Sequence, residues 1–440
     1  MSDESPNPVQ LHEVPAEAPT FRFLWYAGQW PATIRALRHR NFRYFWSGQF
    51  ISLIGTWMQS AAQGWLVLVL AIAEFGEANA AFYVGMIGAL GSAPIFLLTL
   101  FAGVISDRHD RRRILVLTQT LLMLLAIGLG LLVSAGAVRL WHVGLFSLLT
   151  GAAMAFDMPT RQAFVKDMAS PEDLLNAIAL NSSIFNLARI VGPGVAGWLM
   201  SIQAIGIPGV LYINAASYLA VIAGLLAIRN NTLPRQSSAG SLWHHLGEGF
   251  RYVIEHRIIR LLMVIMAVYS IFGFSYAVLL SVVANQVLGQ QAAGYGYLLT
   301  AGGVGAFIGA IYLASTARYV RKGRVLLLGS ILFTLALLAF SLSHSYYLSL
   351  LLLPVVGGGL VVASASINSL IQEIVPDRLR GRVVSMWAFI FAGSTPIGAL
   401  YAGTVAHYTS PLTAVMLGGV ICLVAVVVIS LRAGWLWNLE

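Results

Sequence analysis

Apolar residues in this chain fall into long runs, not into the strict alternation of a half-buried strand. Twelve such runs lie near 43–71, 81–105, 114–135, 140–164, 176–200, 208–229, 258–285, 293–317, 325–345, 347–373, 383–408 and 411–432. A helix needs about 20 apolar residues to cross the hydrocarbon core of a bilayer. The pattern therefore predicts an all-α membrane protein with twelve transmembrane helices. Most connectors are short. The exception is 230–257, where a Pro/Ser/Gly stretch gives way to Leu242, Leu246, Phe250 and Ile254 at four-residue spacing. That spacing draws one apolar stripe along a helix. It predicts an amphipathic helix lying on the membrane, or else a cytosolic linker helix, between one six-helix half over 41–229 and another over 258–433. The first 20 residues are polar, acidic and Pro-rich; they lack the basic-then-apolar order of a signal peptide and read as a disordered tail. Residues 21–40 read as a surface segment leading into the first span, and 434–440 as a short tail.

Charge sharpens this picture. Of all residues 58% are hydrophobic and only 10% charged, against roughly 25% charged in soluble proteins. The net charge of +9 is not gathered on a soluble domain, which argues against nucleic acid as a partner. The bases instead cluster in the even-numbered connectors (108–113, 166, 229–257, 318–324 and 378–382) and in the tails, while the odd-numbered connectors hold only Arg139. Cytoplasmic loops carry the Lys/Arg excess, so both termini are expected in the cytoplasm. The single cysteine, Cys422, excludes a disulfide framework within the chain and a four-Cys metal site. No phosphate-cradling Gly-Lys loop appears, and no soluble stretch is long enough for an ATPase domain. These features predict no enzyme activity, no cofactor and no metal, with energy drawn from a gradient or from a substrate.

Ionisable residues inside hydrocarbon are expensive and usually face a cavity or a partner. Asp157, Arg189 and Glu373 stand out. At 1.5 Å per residue, Asp157 lies roughly 14 Å and Arg189 roughly 20 Å from the cytoplasmic ends of their helices. The expectation is an Asp157–Arg189 interaction between the fourth and fifth spans, with Arg161 one turn from Asp157 on the same face. That pair serves either as a proton-coupling device or as a static tie; Glu373 either joins it or sits at the water interface. Pro159 is expected to kink the fourth helix. Polar Gln49, Thr56, Gln59 and Gln63 recur on the first span, lining a cavity or bonding to neighbouring helices. Gly305 and Gly309 suit close helix packing. A shift of about 211 residues lays Arg111, Arg112 and Arg113 over Lys322, Gly323 and Arg324. This weak internal repeat suits a transporter with its substrate site near the midplane between halves.

The stretch "GVISDRHDRRRIL" (103–115) resembles the loop signature of the major facilitator superfamily, with Gly103, Asp107, Arg108, Arg111, Arg112 and Leu115 matching. Asp110 stands where that signature has glycine; Asp can adopt the left-handed backbone the glycine supplies. "ARIVGPGVAG" (188–197) resembles the antiporter motif of the same superfamily through Gly192, Pro193 and Gly197. "FRYFWSGQFISLIGTWM" and "DMPTRQAFV" are similar to its exporter subgroup, which includes enterobactin and macrolide efflux proteins. The resemblance implies a major facilitator fold, with Asp107, Arg108 and Arg111 docking their loop against the other half as a gate, and Gly192 and Pro193 bending the fifth helix. It further implies a monomer in the bacterial inner membrane that exports a small molecule (drug, siderophore or other amphipathic compound) against protons. An uptake symporter or facilitator, a lysophospholipid flippase, and a non-transporting receptor or scaffold stay open.

Overall fold

The chain builds twelve membrane-length helical spans in a computed structural model that describes residues 31–228, 242–316, 321–432 and 434. The expected tail over 1–20, the first half of the surface segment over 21–40, most of the polar stretch before 242 and the tail over 434–440 except residue 434 lie outside the described residues. The first half comprises α1 (Arg40–Phe75), α2 (Glu77–Arg108), α3 (Arg111–Ser134), α4 (Leu140–Met168), α5 (Leu174–Ser201) and α6 (Gly206–Ala227). A short helix, α7 (Leu242–Glu255), precedes the second half. There the first span is α8 (Arg257–Val268) and α9 (Ser275–Val282), each followed by a five-residue π turn, 269–273 and 283–287. Then come α10 (Ala292–Thr316), α11 (Lys322–Ser341), α12 (Tyr346–Ile374), α13 (Asp377–Gly393), α14 (Thr395–Tyr408) and α15 (Pro411–Arg432). The eleventh span breaks between α13 and α14, where Ser394 leads into Pro396 at the start of α14. Proline lacks the N–H needed to continue the helical ladder. Pro159, by contrast, lies inside a single continuous helix, α4.

The two halves repeat one charged device. Helix α3 begins at Arg111, whose guanidinium holds Asp167, the penultimate residue of α4, at 2.9 Å. Helix α11 begins at Lys322, whose ammonium holds Glu373, the penultimate residue of α12, at 2.7 Å. The ends carrying these pairs and the first residues of α1 form the basic end of the bundle. Beside them, Arg35, Arg38 and His39 of the turn preceding α1 converge on the carboxylate of Asp173, the residue just before α5. Asn176 extends this clamp, accepting from the Ala36 amide at 2.8 Å and donating to the Thr33 carbonyl at 2.9 Å.

Glycine lets helices touch elsewhere. Gly309 faces the Gly358 backbone, so α10 and α12 approach closely, as the small-residue spacing predicts. Helix α7 is tied to the second half by a Glu248–Arg382 ion pair, and Phe250 and Ile254 of its stripe are exposed. The side chains of Leu242 and Leu246 lie outside the described set.

Candidate functional site

The halves meet through two matched crossings at the end opposite the basic one. A Cβ on Gly85 of α2 would stand 2.7 Å from Gly403 Cα in α14, and one on Gly197 of α5 would stand 3.0 Å from Gly296 Cα in α10. Only glycine permits backbones this close. His407 against the Ala78 carbonyl and Gln286 donating to the Glu77 carbonyl add polar contacts at the same end. Eighteen residues make about five turns, so residues that far apart share a helix face. Gly103 lies eighteen residues beyond Gly85, and nothing stands within 4 Å of a Cβ placed there. Ala179 and Ala314 hold the same relation to Gly197 and Gly296, and both are exposed. The faces that touch at the opposite end are uncovered at the basic end. The bundle is sealed at one end and splayed at the other.

Between the halves lie two adjoining chambers that share Ser60, Ala277 and Tyr295. The first, about 390 Å³, sets neutral polar side chains, among them Thr56, Gln59, Gln63, Ser147, Thr150 and Tyr218, in a largely apolar wall that includes Val67, Ile87 and Met154. Gln63 donates to the Ser147 hydroxyl at 2.6 Å, and Gln59 accepts from the buried Asn214. The second, about 290 Å³, is walled by Trp57, Phe274, Tyr276 and Tyr295 and receives Arg189. Thus Thr56, Gln59 and Gln63 border a cavity. Gln49 does not line either chamber: it is buried, with its carbonyl oxygen unpartnered.

The expected Asp157–Arg189 pair is not what the structure forms. Asp157 is fully buried between α3 and α4, accepting from Thr118 at 2.9 Å and Gln119 at 2.7 Å, and its ion pair is with Arg161 one turn along α4. Arg189 points the other way, into the second chamber, where it donates to Asn186 at 3.2 Å. The reason is packing: α4 lies against α2 and α3, whereas α5 lies against α1 and α10. Sequence neighbours here are not the helices that share a polar face. Tyr218, which lines the first chamber, lies beside Thr56 and Asn214 and on the side of the chamber toward the Asp157–Arg161 pair. Glu373 is absent from this network. Its half-exposed carboxylate is the partner of Lys322 at the basic end.

The signature loop is also rearranged relative to expectation. Asp107 and Arg111 do pair, at 3.0 Å. The helix breaks between them, and Asp110 is extended (φ −66°, ψ 110°), not left-handed. Its carboxylate caps α3, accepting from the Arg112 amide at 2.9 Å. Asp replaces the expected glycine because this turn needs an N-cap acceptor. Arg112 donates to the Leu225 and Leu226 carbonyls at the end of α6, and Arg108 is exposed. The loop is thus fastened to α4 and α6 of its own half, not to the other half, because the basic ends of the halves stand apart. In α5, Gly192 seats the helix on α1, with a would-be Cβ 2.5 Å from Trp57 Cβ; Pro193 lies within the unbroken helix, its carbonyl against Gly296.

Residues outside the sequence reading complete the site. Thr118, Gln119 and Asp167 come from α3 and α4, and Gly85, Gly296 and Gly403 form the seam; Tyr276 and Tyr295 wall the second chamber. Only the small-residue recurrence of the glycines leaves a trace in the sequence.

Comparison with known proteins agrees with this architecture. The family described as transmembrane secretion effector matches residues 31–435. A staphyloferrin A transporter of Staphylococcus aureus is 27% identical over 362 residues, 81% of this chain and 87% of that protein. The multidrug efflux pump Tap of Mycolicibacterium fortuitum is 26% identical, covering 78% of this chain and 83% of its own length. The enterobactin exporter EntS of Escherichia coli is 23% identical, covering 87% and 89%. Among solved structures, a bacterial homologue of the human lysosomal transporter Spinster, inward-facing and unoccupied, superposes with a TM-score of 0.68 at 15% identity over 90% of this chain and 96% of its own. A D-xylose–proton symporter gives 0.64 at 13% identity, covering 87% and 96%.

Proposed function

Because the chain belongs to the transmembrane secretion effector family of major facilitator transporters, we propose that it exports an amphipathic small molecule by alternating access, in exchange for protons. The observation that carries this reading is the pair of chambers between the halves, closed at one end by Gly85–Gly403 and Gly197–Gly296 and uncovered at the other. Rocking the halves about the chambers exposes them to the two faces of the membrane in turn. The excess of Lys and Arg on the connectors of the basic end supports a cytoplasmic location for that end; in this reading the conformation described is the one that loads cargo from inside the cell.

Asp157 is the proton-carrying group in this reading. Its partner is Arg161, not Arg189, and Thr118 and Gln119 hold the carboxylate in place. A rearrangement that parts Asp157 from Arg161 changes which protonation state is favoured. The Tyr218–Thr56 side of the first chamber gives protons a polar approach to the pair. The Staphylococcus, Mycolicibacterium and Escherichia relatives support a siderophore- or drug-like cargo.

The test is flux in proteoliposomes carrying an imposed pH gradient. Wild-type protein is expected to move cargo against its gradient only while the pH gradient lasts. Asp157→Asn is expected to keep counterflow exchange and lose gradient-driven accumulation. Full pH-driven flux in that variant removes Asp157 from the coupling step.

A further inference from the structure

The charges around the two chambers do not balance. Among the described residues lining them, Arg189 is the one charged group; every other lining side chain is neutral. A guanidinium keeps its proton in proteins, so the cavity holds a permanent positive charge. Among the described residues that charge has no carboxylate partner. One terminal nitrogen donates to the neutral Asn186, and Nε is buried without any acceptor. The carboxylate expected to neutralise it, Asp157, is committed to Arg161, Thr118 and Gln119 in a different helix interface. A partly buried charge without a counter-ion is costly, and such a group usually faces a cavity or a partner.

The surroundings restrict what that ligand is. The fork of a guanidinium matches the two oxygens of a planar acid group. Trp57, Phe274, Tyr276 and Tyr295 line the same chamber as Arg189 and supply it with aromatic wall for an apolar or aromatic body. The adjoining chamber supplies Gln59, Gln63, Ser147 and Thr150, which are neutral hydrogen-bonding groups. We propose that the cargo is an amphipathic organic anion whose acid group docks on Arg189 and whose body lies among the rings and extends into the neutral polar chamber. Cations are disfavoured, since nothing in either chamber offers them a counter-charge.

This inference rests on the transport reading for its biological sense, but binding alone tests it. Purified full-length protein in detergent is equilibrated with 1-naphthoate, with its neutral isostere 1-naphthamide, and with 1-naphthylmethylammonium, and bound ligand is measured by equilibrium dialysis. Naphthoate is expected to bind at least about tenfold more tightly than the amide, the scale of one charge-assisted hydrogen bond, and the ammonium most weakly. Arg189→Gln is expected to bring the acid down to the amide, and Arg189→Lys to restore part of the preference. Equal affinity of acid and amide in the wild type overturns the proposal without any variant. So does an acid preference that survives Arg189→Gln, or the absence of saturable naphthoate binding. The two readings separate: proton-driven export of a neutral compound with no acid preference overturns this inference and keeps the transporter. A saturable, Arg189-dependent acid preference with no flux keeps the site and overturns the transport reading.

Discussion

The Asp157–Arg161 pair can be measured as a unit by replacing its members with apolar residues of similar bulk, Asp157→Leu and Arg161→Met, singly and together. The Asp157 side chain is 1% exposed and that of Arg161 14%, so both charges are largely out of water. Removing one member of a buried pair strands the other and costs about 3–5 kcal/mol. In Arg161→Met the stranded carboxylate keeps its bonds from Thr118 and Gln119, which places the loss near the bottom of that range, at about 3 kcal/mol. In Asp157→Leu the partial exposure of Arg161 softens the ionic part, but Gln119 loses its acceptor, adding about 1 kcal/mol; the total is again about 3 kcal/mol. Thr118 is spared, since its one hydroxyl proton can turn to the Leu115 carbonyl, 3.1 Å away. The double variant removes both charges and leaves chiefly the Gln119 defect, about 1–2 kcal/mol. The coupling energy is then about 4–5 kcal/mol, above the usual range for residues in contact. The assay is unfolding by SDS titration in mixed micelles at neutral pH, followed by far-ultraviolet circular dichroism. Single losses that simply add in the double variant, within about 0.5 kcal/mol, would refute the claim that the two side chains neutralise each other inside the protein.

Bulk at the seam acts on the conformational balance: Gly85→Leu with Gly197→Leu is expected to spread the end opposite the basic one, read as longer distances between spin labels on α2 and α14 near residues 79 and 408. Unchanged distances would mean that the glycine crossings do not hold that end shut. At the basic end, burial pushes the Asp173 carboxyl up, but hydrogen bonds from His39 and Arg35 and the charges of Arg35 and Arg38 outweigh it and hold the group below the usual carboxylate value. A depressed folded value means stability that is present above the unfolded pKa of about 3.9 and lost as pH falls through the lower folded value. Limited proteolysis of the segment before α1 is therefore expected to be flat from pH 8 to about 5 and to rise below about pH 4, with Asp173→Asn susceptible throughout; equal susceptibility of variant and wild type at neutral pH would dissolve the clamp. Glu373→Gln breaks an ion pair half open to water, which costs at most about 1 kcal/mol, and is expected to leave pH-driven flux intact. Loss of coupling in that variant would return Glu373 to the proton path.

The helical spans were legible because crossing hydrocarbon is a demand on each segment alone: enough consecutive apolar residues to satisfy every backbone group internally. The bounds follow to within a few residues, 411–432 among them. Pairs within one helix were legible for the same reason, since 3.6 residues per turn places Arg161 beside Asp157 whatever surrounds them; Asp107 and Arg111 instead meet across the break between α2 and α3, which the sequence did not show. The internal repeat was traceable through Arg111 and Lys322, which open α3 and α11. What each base grips was not, because Asp167 and Glu373 lie 56 and 51 residues further on.

Helix-to-helix pairing belongs to the tertiary structure. Hydrophobicity fixes that a helix spans but not how it is rotated about its axis, since lipid and helix neighbours are equally apolar. The rotation of α4 turned Asp157 to Thr118 and Gln119, and that of α5 turned Arg189 to Tyr276 across the gap between halves. The depth of the two residues along their helices was in the sequence; their facing was not. The packing of α4 against α2 and α3, and of α5 against α1 and α10, decided that Asp157 meets Arg161 and that Arg189 faces the chamber between the halves.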